Sequence, residues 1–265
     1  MSMAVKNHLK LIWDYFILNL KKESKYKASF IMQIVMMILN DLFFIIQWYV
    51  IFQLVDNIGG YGFNESLMLF AIAAGGFGFC HTFFGGAWKM KDIIYDGKLD
   101  VFLTQPKNVL ISLCCSSTDV GAIGDLIYPF IVLIIVGAPW YWYLLMFPVM
   151  ILSGLIYVAS FAAYCSLCFH IKGGDAVAKS VEGTMNKSGN YPPAIYNLAV
   201  KTILYTIIPV FFYTFVPAEY IFFNFNIGFV ILFVAVTIAW VLLAFFLFKL
   251  GLKKYNSGNL MGGRL

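Results

Sequence analysis

Long apolar runs recur along this chain and are separated by short polar segments. A helix needs about 20 mostly apolar residues to cross the hydrocarbon core of a bilayer. The pattern therefore predicts an all-α membrane protein with six transmembrane helices, forming a single transmembrane domain over residues 1–265. The predicted spans are residues 28–52, 67–88, 119–138, 142–169, 195–216 and 227–249.

Two local features qualify these spans. An apolar run at residues 109–115 lies just before the third span, and it either extends that span or forms a separate short helix. Pro148 and Pro209 fall inside the fourth and fifth spans, where proline removes a backbone hydrogen bond and predicts a kink.

The first 27 residues contain a shorter, amphipathic pattern. Six apolar residues share one face of a helix over residues 5–20, and the charged residues lie elsewhere. The apolar face comprises Val5, Leu9, Ile12, Trp13, Phe16 and Leu20. Such a helix lies in the membrane interface with its apolar face toward the acyl chains. The alternative is a cytoplasmic helix that packs on its own protein.

Positive charge predicts the orientation of the chain. Lys and Arg are concentrated in the segments that become cytoplasmic when the amino terminus is inside. These segments are residues 1–27, 89–118, 170–194 and 250–265, the last being a cytoplasmic tail. The predicted outer loops, residues 53–66, 139–141 and 217–226, contain no Lys or Arg. We therefore predict a multi-pass protein of the plasma membrane with both ends in the cytoplasm.

Composition supports lipid as the surrounding medium. The chain is 62% hydrophobic and 12% charged, whereas soluble domains are roughly 25% charged. The net charge of +5 lies in short loops between apolar runs, so nucleic acid is not an expected partner and membrane lipid is. None of the five cysteines falls in a predicted outer segment, which argues against disulfides.

Two short motifs resemble ligand sites without completing them. Residues 173–180, GGDAVAKS, lack the second glycine of a phosphate-binding loop and follow a membrane span where that loop requires a strand, so an ordinary cytoplasmic loop is expected. Cys165 and Cys168, with His170, form only half of a zinc site, and buried thiols are the simpler interpretation.

Polar residues inside the first span are more informative. Gln33, Asn40 and Gln47 recur every seven residues, and Asp41 lies near the middle of the span. An intramembrane carboxylate is costly and turns toward protein or water. These four residues either line a pathway or subunit seam, or form interhelical hydrogen bonds that hold the bundle together.

Small residues in the second span predict close helix packing. Ala74, Gly78, Thr82 and Gly86 are spaced four apart and form a smooth ridge. No catalytic constellation is recognisable in the sequence, so an enzyme is not predicted.

Residues 93–106, IIYDGKLDVFLTQP, carry a recognisable signature. The string resembles the I-x-x-G-x-L-D-x-x-L-x-x-P pattern of the ABC type-2 permease family, the membrane subunits of ATP-driven exporters. The matching residues are Ile94, Gly97, Leu99, Asp100, Leu103 and Pro106. Residues 208–209, 216–218 and 250–257 resemble later parts of the family pattern, so the resemblance covers nearly the whole chain.

The resemblance implies a half-transporter. Two six-span subunits, identical or related, pair with two separate ATPase subunits, so this chain holds no cofactor and ATP with Mg²⁺ is expected in the partner. The alternative is a stand-alone secondary transporter or channel that uses Asp41 as a proton or ion site. A membrane-embedded enzyme is the third hypothesis.

The signature also predicts where the ATPase binds. Apolar side chains in the water-accessible segment 91–103 need a covering surface, and Gly97 is suited to a turn between two short helices. The predicted ATPase-coupling residues are Asp92, Ile93, Ile94, Asp96, Gly97, Leu99, Asp100, Phe102 and Leu103. The alternative is a loop that packs on the amino-terminal helix of the same chain.

Overall fold

The chain folds almost entirely into helices. The computed structural model describes the backbone from residue 3 to residue 255 and side chains from residue 7, and this part contains no β-strand. The helices are α1 Met3–Glu23, α2 Lys27–Phe52, α3 Phe63–Phe84, α4 Met90–Tyr95, α5 Asp100–Leu103, α6 Val109–Cys114, α7 Ala122–Val136, α8 Trp140–Cys165, α9 Gly174–Ser188, α10 Leu198–Thr206, α11 Val210–Tyr213, α12 Phe215–Pro217 and α13 Ile227–Leu252. The predicted all-α class is confirmed. Most of the predicted tail, residues 256–265, lies outside the described residues.

Four helices are long and apolar enough to cross a membrane. They are α2, α3 with its continuation to Tyr95, α8 with its continuation to Phe169, and α13, matching the first, second, fourth and sixth predicted spans. The third predicted span corresponds to α7, which has 15 residues. It therefore rises about 22 Å, less than the roughly 30 Å hydrocarbon core. The apolar run before it forms the separate helix α6.

Helix α3 lies at the centre and is the most buried of these helices. A Cβ added at Gly78 would stand 2.8 Å from the Asp125 Cβ and 2.9 Å from the Ala122 carbonyl oxygen of α7. At Gly76 it would stand 2.9 Å from the Ser153 Cβ of α8. Small residues on α3 thus let three backbones approach closely, as the small-residue ridge predicted.

The fifth predicted span, residues 195–216, is built from short helices with a sharp bend between them. At its start, a Cβ on Gly59 would overlap the Ala194 side chain at 2.0 Å. At its end, the Phe215 ring lies 5.9 Å from the Tyr61 ring. Both ends therefore meet the same α2–α3 loop, and the chain between them bends by 66° around Pro209. The segment is therefore folded back at Pro209 instead of forming one straight helix, and its crossing of the membrane stays a prediction.

Helix α9 runs along the bundle between α8 and the α2–α3 loop. It starts at Gly174, where a Cβ would stand 2.9 Å from the Cys168 Cα just after α8. After α9 the chain passes Trp48, whose ring lies 6.0 Å from Tyr191, and reaches the α2–α3 loop at Ala194. Residues 170–194 thus join opposite ends of the bundle. The predicted loop is a helix over most of its length, because a polar sequence conceals one buried face, formed by Ala178, Val181 and Met185.

Candidate functional site

The signature segment folds into two short helices at the end of the bundle where α3, α8 and α13 finish. Helices α4 and α5 are joined by a turn in which Gly97 has a φ of 71°. Residues with side chains rarely adopt this left-handed conformation. The predicted turn at Gly97 is confirmed, and it directs the two helices along different axes.

Tyr255, just beyond α13, holds this turn. Its hydroxyl donates a 2.7 Å hydrogen bond to the Gly97 carbonyl oxygen and accepts one of 3.2 Å from the Leu99 backbone N–H. Burial and the nearby Asp100 carboxylate raise the pKa of the Tyr255 hydroxyl above its ordinary value. The hydroxyl therefore keeps its proton and its donor role at neutral pH. This contact ties the end of the last helix to the signature turn.

Burial divides the predicted coupling residues into two groups. Ile94 and Leu99 are completely buried within the chain itself. In contrast, Val101 is 65% exposed and Leu103 is 43% exposed, with Tyr95 beside them at 40%. The chain's own core therefore covers Ile94 and Leu99, and they are not exposed to a partner. We call the exposed set, Tyr95, Val101 and Leu103, the apolar ledge.

The remaining predicted coupling residues surround the apolar ledge. Ile93 and Phe102 are half-buried against the core. Asp92 is exposed, and the Asp96 carboxylate accepts a 2.7 Å hydrogen bond from the Lys98 ammonium. Asp100 is half-buried beside the Tyr255 hydroxyl. Negative charge therefore borders the apolar surface.

An ion pair connects the signature segment to α9. The Lys91 Nζ lies 2.8 Å from the Glu182 Oε2, with both side chains largely buried. The same ammonium lies 5.7 Å from the centre of the Phe161 ring on α8. The ion pair therefore joins α4 directly to α9.

Helix α1 packs on its own protein. Its Tyr15 hydroxyl donates to the Gln105 side chain at 3.2 Å, and its Asn19 amide donates to the Cys115 carbonyl at 3.0 Å. Its opposite side leaves Leu9 and Trp13 more than half exposed. The helix thus has a protein-facing side and an exposed apolar side.

The polar residues of α2 lie on two different faces. Gln33, Asn40 and Gln47 are exposed on the outside of the single chain. Asp41 is only 1% exposed and turns inward, where its carboxyl group lies against that of Asp125 on α7. Asp125 is not among the site residues predicted from the sequence. The rule applied to Asp41 would have found it, because Asp125 also lies inside a predicted span.

The two carboxyl groups line a cavity of about 240 Å³ among α2, α3, α7, α8, α9 and α11. Exposed Asn40 and Asn186 stand at its rim, whereas the carboxyl groups lie deep. Its further lining residues are Met37, Phe44, Phe70, Ala73, Ala74, Phe77, Tyr157, Met185, Asn190 and Tyr213. Among the described residues, no group of three His, Cys, Asp or Glu side chains is arranged to hold a metal ion.

The phosphate-loop-like string begins α9 rather than forming a loop between strand and helix. Gly173 takes a left-handed φ of 84° and a single 3₁₀ turn, Ser166–Phe169, precedes it. The backbone order that a phosphate-binding loop requires is therefore absent from this described segment.

Comparison with known proteins identifies the family. The family model described as "ABC-2 family transporter protein" matches residues 27–258. No curated protein and no solved structure is detectably similar to the chain. The matched region contains the signature turn, the carboxyl pair and all the long apolar helices, and the chain is therefore a member of the ABC-2 transporter family.

Proposed function

We propose that the chain is the permease subunit of an ABC exporter of the plasma membrane, which couples ATP hydrolysis by a separate ATPase to substrate movement. The ABC-2 family implies an ATP-binding partner subunit. ATP and Mg²⁺ would be held by that partner. This chain would supply the pathway and transmit the ATPase's movement to it.

The observation that carries this proposal is the apolar ledge. Val101 and Leu103 are exposed four and six residues after Gly97, next to fully buried Leu99. Exposed apolar side chains held on a fixed turn mark a protein-binding surface. The Tyr255 contact and the Lys91–Glu182 ion pair link this surface to α13 and α9. An ATPase bound at the ledge can therefore move two helices of the bundle.

Six crossings follow if α9 takes the place of residues 195–216. The crossing helices are then α2, α3, α7, α8, α9 and α13, and α10 to α12 form a hairpin that enters and leaves on the outer side. An even number of crossings places both chain ends on the same side, which the positive charges favour as cytoplasmic. Exposed Leu9 and Trp13 suit an interfacial position for α1.

The surface around α2 and α9 suggests a second permease subunit. Gln33, Asn40 and Gln47 are exposed on α2, and Lys179 and Lys187 are exposed on α9. Polar and charged side chains within a bilayer face protein or water rather than lipid. We therefore propose that this face forms a seam with another permease chain, identical or related, and borders the pathway.

Affinity purification of the tagged chain from its native membrane tests the proposal. Identification of every associated chain should reveal an ATPase and a second permease chain, and transport should require ATP hydrolysis. Transport driven by an ion gradient, with no associated ATPase, would instead establish a secondary transporter.

A further inference from the structure

The carboxyl groups of Asp41 and Asp125 form a buried pair between α2 and α7. The two residues are 1% and 2% exposed and lie close enough to hydrogen-bond to each other. Ionised carboxylates have only acceptor oxygens, so a hydrogen bond between two carboxyl groups requires a proton on one of them. With one shared proton, the pair carries one negative charge.

Nothing in the cavity lining balances that charge. The lining contains the two carboxyl groups and the side chains of Asn40, Asn186 and Asn190, but no Lys, Arg or His. A buried charge without a counter-charge is costly. The site is therefore suited to a cation that arrives from outside the chain.

The unpaired polar atoms specify what kind of cation fits. The Oδ2 atoms of Asp41 and Asp125 are buried and have no hydrogen-bond partner. Carboxyl oxygens without a partner can accept hydrogen bonds from the N–H donors of a primary ammonium group.

The rest of the cavity favours an organic ion over a metal ion. Five aromatic side chains line it: Phe44, Phe70, Phe77, Tyr157 and Tyr213. Aromatic faces attract organic ammonium ions and supply an apolar wall for their carbon skeleton. The volume of about 240 Å³ limits the ligand to a small molecule. Asn40 and Asn186 at the rim provide polar groups along the entry.

We propose that the Asp41–Asp125 pair is a binding site for a small organic ammonium ion, which is a substrate of the permease. The inference names the substrate class of the pathway and therefore rests on the proposed function. Binding to the isolated chain needs no ATPase, so the two proposals fail separately. Loss of binding would leave the ATPase partnership intact, and absence of an ATPase would leave the binding result intact.

The test is calorimetric titration of the purified full-length chain in lipid nanodiscs. The probes are benzylammonium and its neutral counterpart benzyl alcohol, which has a similar size and shape. Benzylammonium should bind, and benzyl alcohol should bind much more weakly. The Asp41→Asn/Asp125→Asn double variant, which cannot carry the negative charge, should lose about thirtyfold or more in benzylammonium affinity.

The single variants give a sharper expectation. In Asp41→Asn or Asp125→Asn, the amide replaces the shared proton and the remaining carboxylate keeps the charge, so most of the benzylammonium affinity should remain. Asp56→Asn, which changes an exposed carboxylate outside the cavity lining, is the matched control and should bind as the unaltered chain does. Unfolding temperatures without ligand establish that each variant is folded.

Two results would overturn the proposal. One is equal binding of benzylammonium and benzyl alcohol to the unaltered chain. The other is undiminished benzylammonium affinity in the folded double variant. If the double variant does not fold, a single variant that binds no benzylammonium would overturn it as well, because that pattern indicates a structural pair.

Discussion

The Tyr255 hydroxyl lies 2.7 Å from the Gly97 carbonyl oxygen, although 158 residues separate the two in the chain. Gly97 is the turn of the family signature, and Tyr255 follows the last membrane helix. The hydrogen bond connects the proposed ATPase-binding surface to the end of α13. Two of the chain's most distant segments are thereby joined at one atom.

Replacing Tyr255 by Phe should weaken this connection. The change removes the donor to Gly97 and the acceptor for the Leu99 N–H, so we expect a loss of about 1 kcal/mol in the free energy of unfolding. It should also lower the amount of substrate moved per ATP hydrolysed. Tyr141→Phe, at the exposed start of α8, is the control. Unchanged coupling in Tyr255→Phe would show that the contact is only structural.

The apolar ledge and the buried signature residues should respond differently to substitution. Val101→Asp should release the ATPase during purification while leaving the unfolding temperature nearly unchanged, because Val101 is 65% exposed. Leu99→Ala should cost about 2–5 kcal/mol of stability, because it opens a cavity in the core. Leu54→Asp, on an exposed loop residue far from the ledge, should retain the ATPase. Full ATPase retention by Val101→Asp would contradict the ledge assignment.

The ion pair between α4 and α9 predicts that breaking it lowers the free energy of unfolding and that exchanging its two charges restores part of the loss. Lys91→Met leaves the Glu182 carboxylate half-buried and unpaired, so it should destabilise the protein by about 1–3 kcal/mol. The charge-exchanged variant Lys91→Glu/Glu182→Lys should recover more than half of that loss. A double-mutant cycle measured by thermal unfolding isolates the pair's contribution. If the effects of Lys91→Glu and Glu182→Lys on the free energy of unfolding simply add in the charge-exchanged variant, the ion pair contributes nothing to stability.

If α9 crosses the membrane, Ala194 lies on the outer side. Single cysteines at Asn57 and Ala194, in a variant whose five native cysteines are replaced, should both react with an impermeant maleimide added outside. A cysteine at Lys98 should react only after the membrane is permeabilised. If position 194 instead reacts like position 98, residues 170–194 do not cross and the original cytoplasmic assignment of that segment stands.

The sequence alone determined the class of the protein and its long apolar helices. Hydropathy located α2, α3, α8 and α13 within a few residues, because an apolar run of this length has few alternatives to a lipid environment. The turn at Gly97 was also predictable, since local backbone preference needs no tertiary information.

Tertiary contacts decided the rest. Helix α9 looked like a loop because only one face, around Val181 and Met185, is apolar, and its packing on α8 appears only in three dimensions. Residues 195–216 looked like a span because an apolar hairpin and an apolar crossing have the same composition. Likewise, Asp41 and Asp125 are 84 residues apart, and no local pattern indicates that they meet. Hydropathy reflects the environment of each segment. Whether a segment crosses the bundle or folds back, and which side chains meet, depends on contacts between segments distant in the chain.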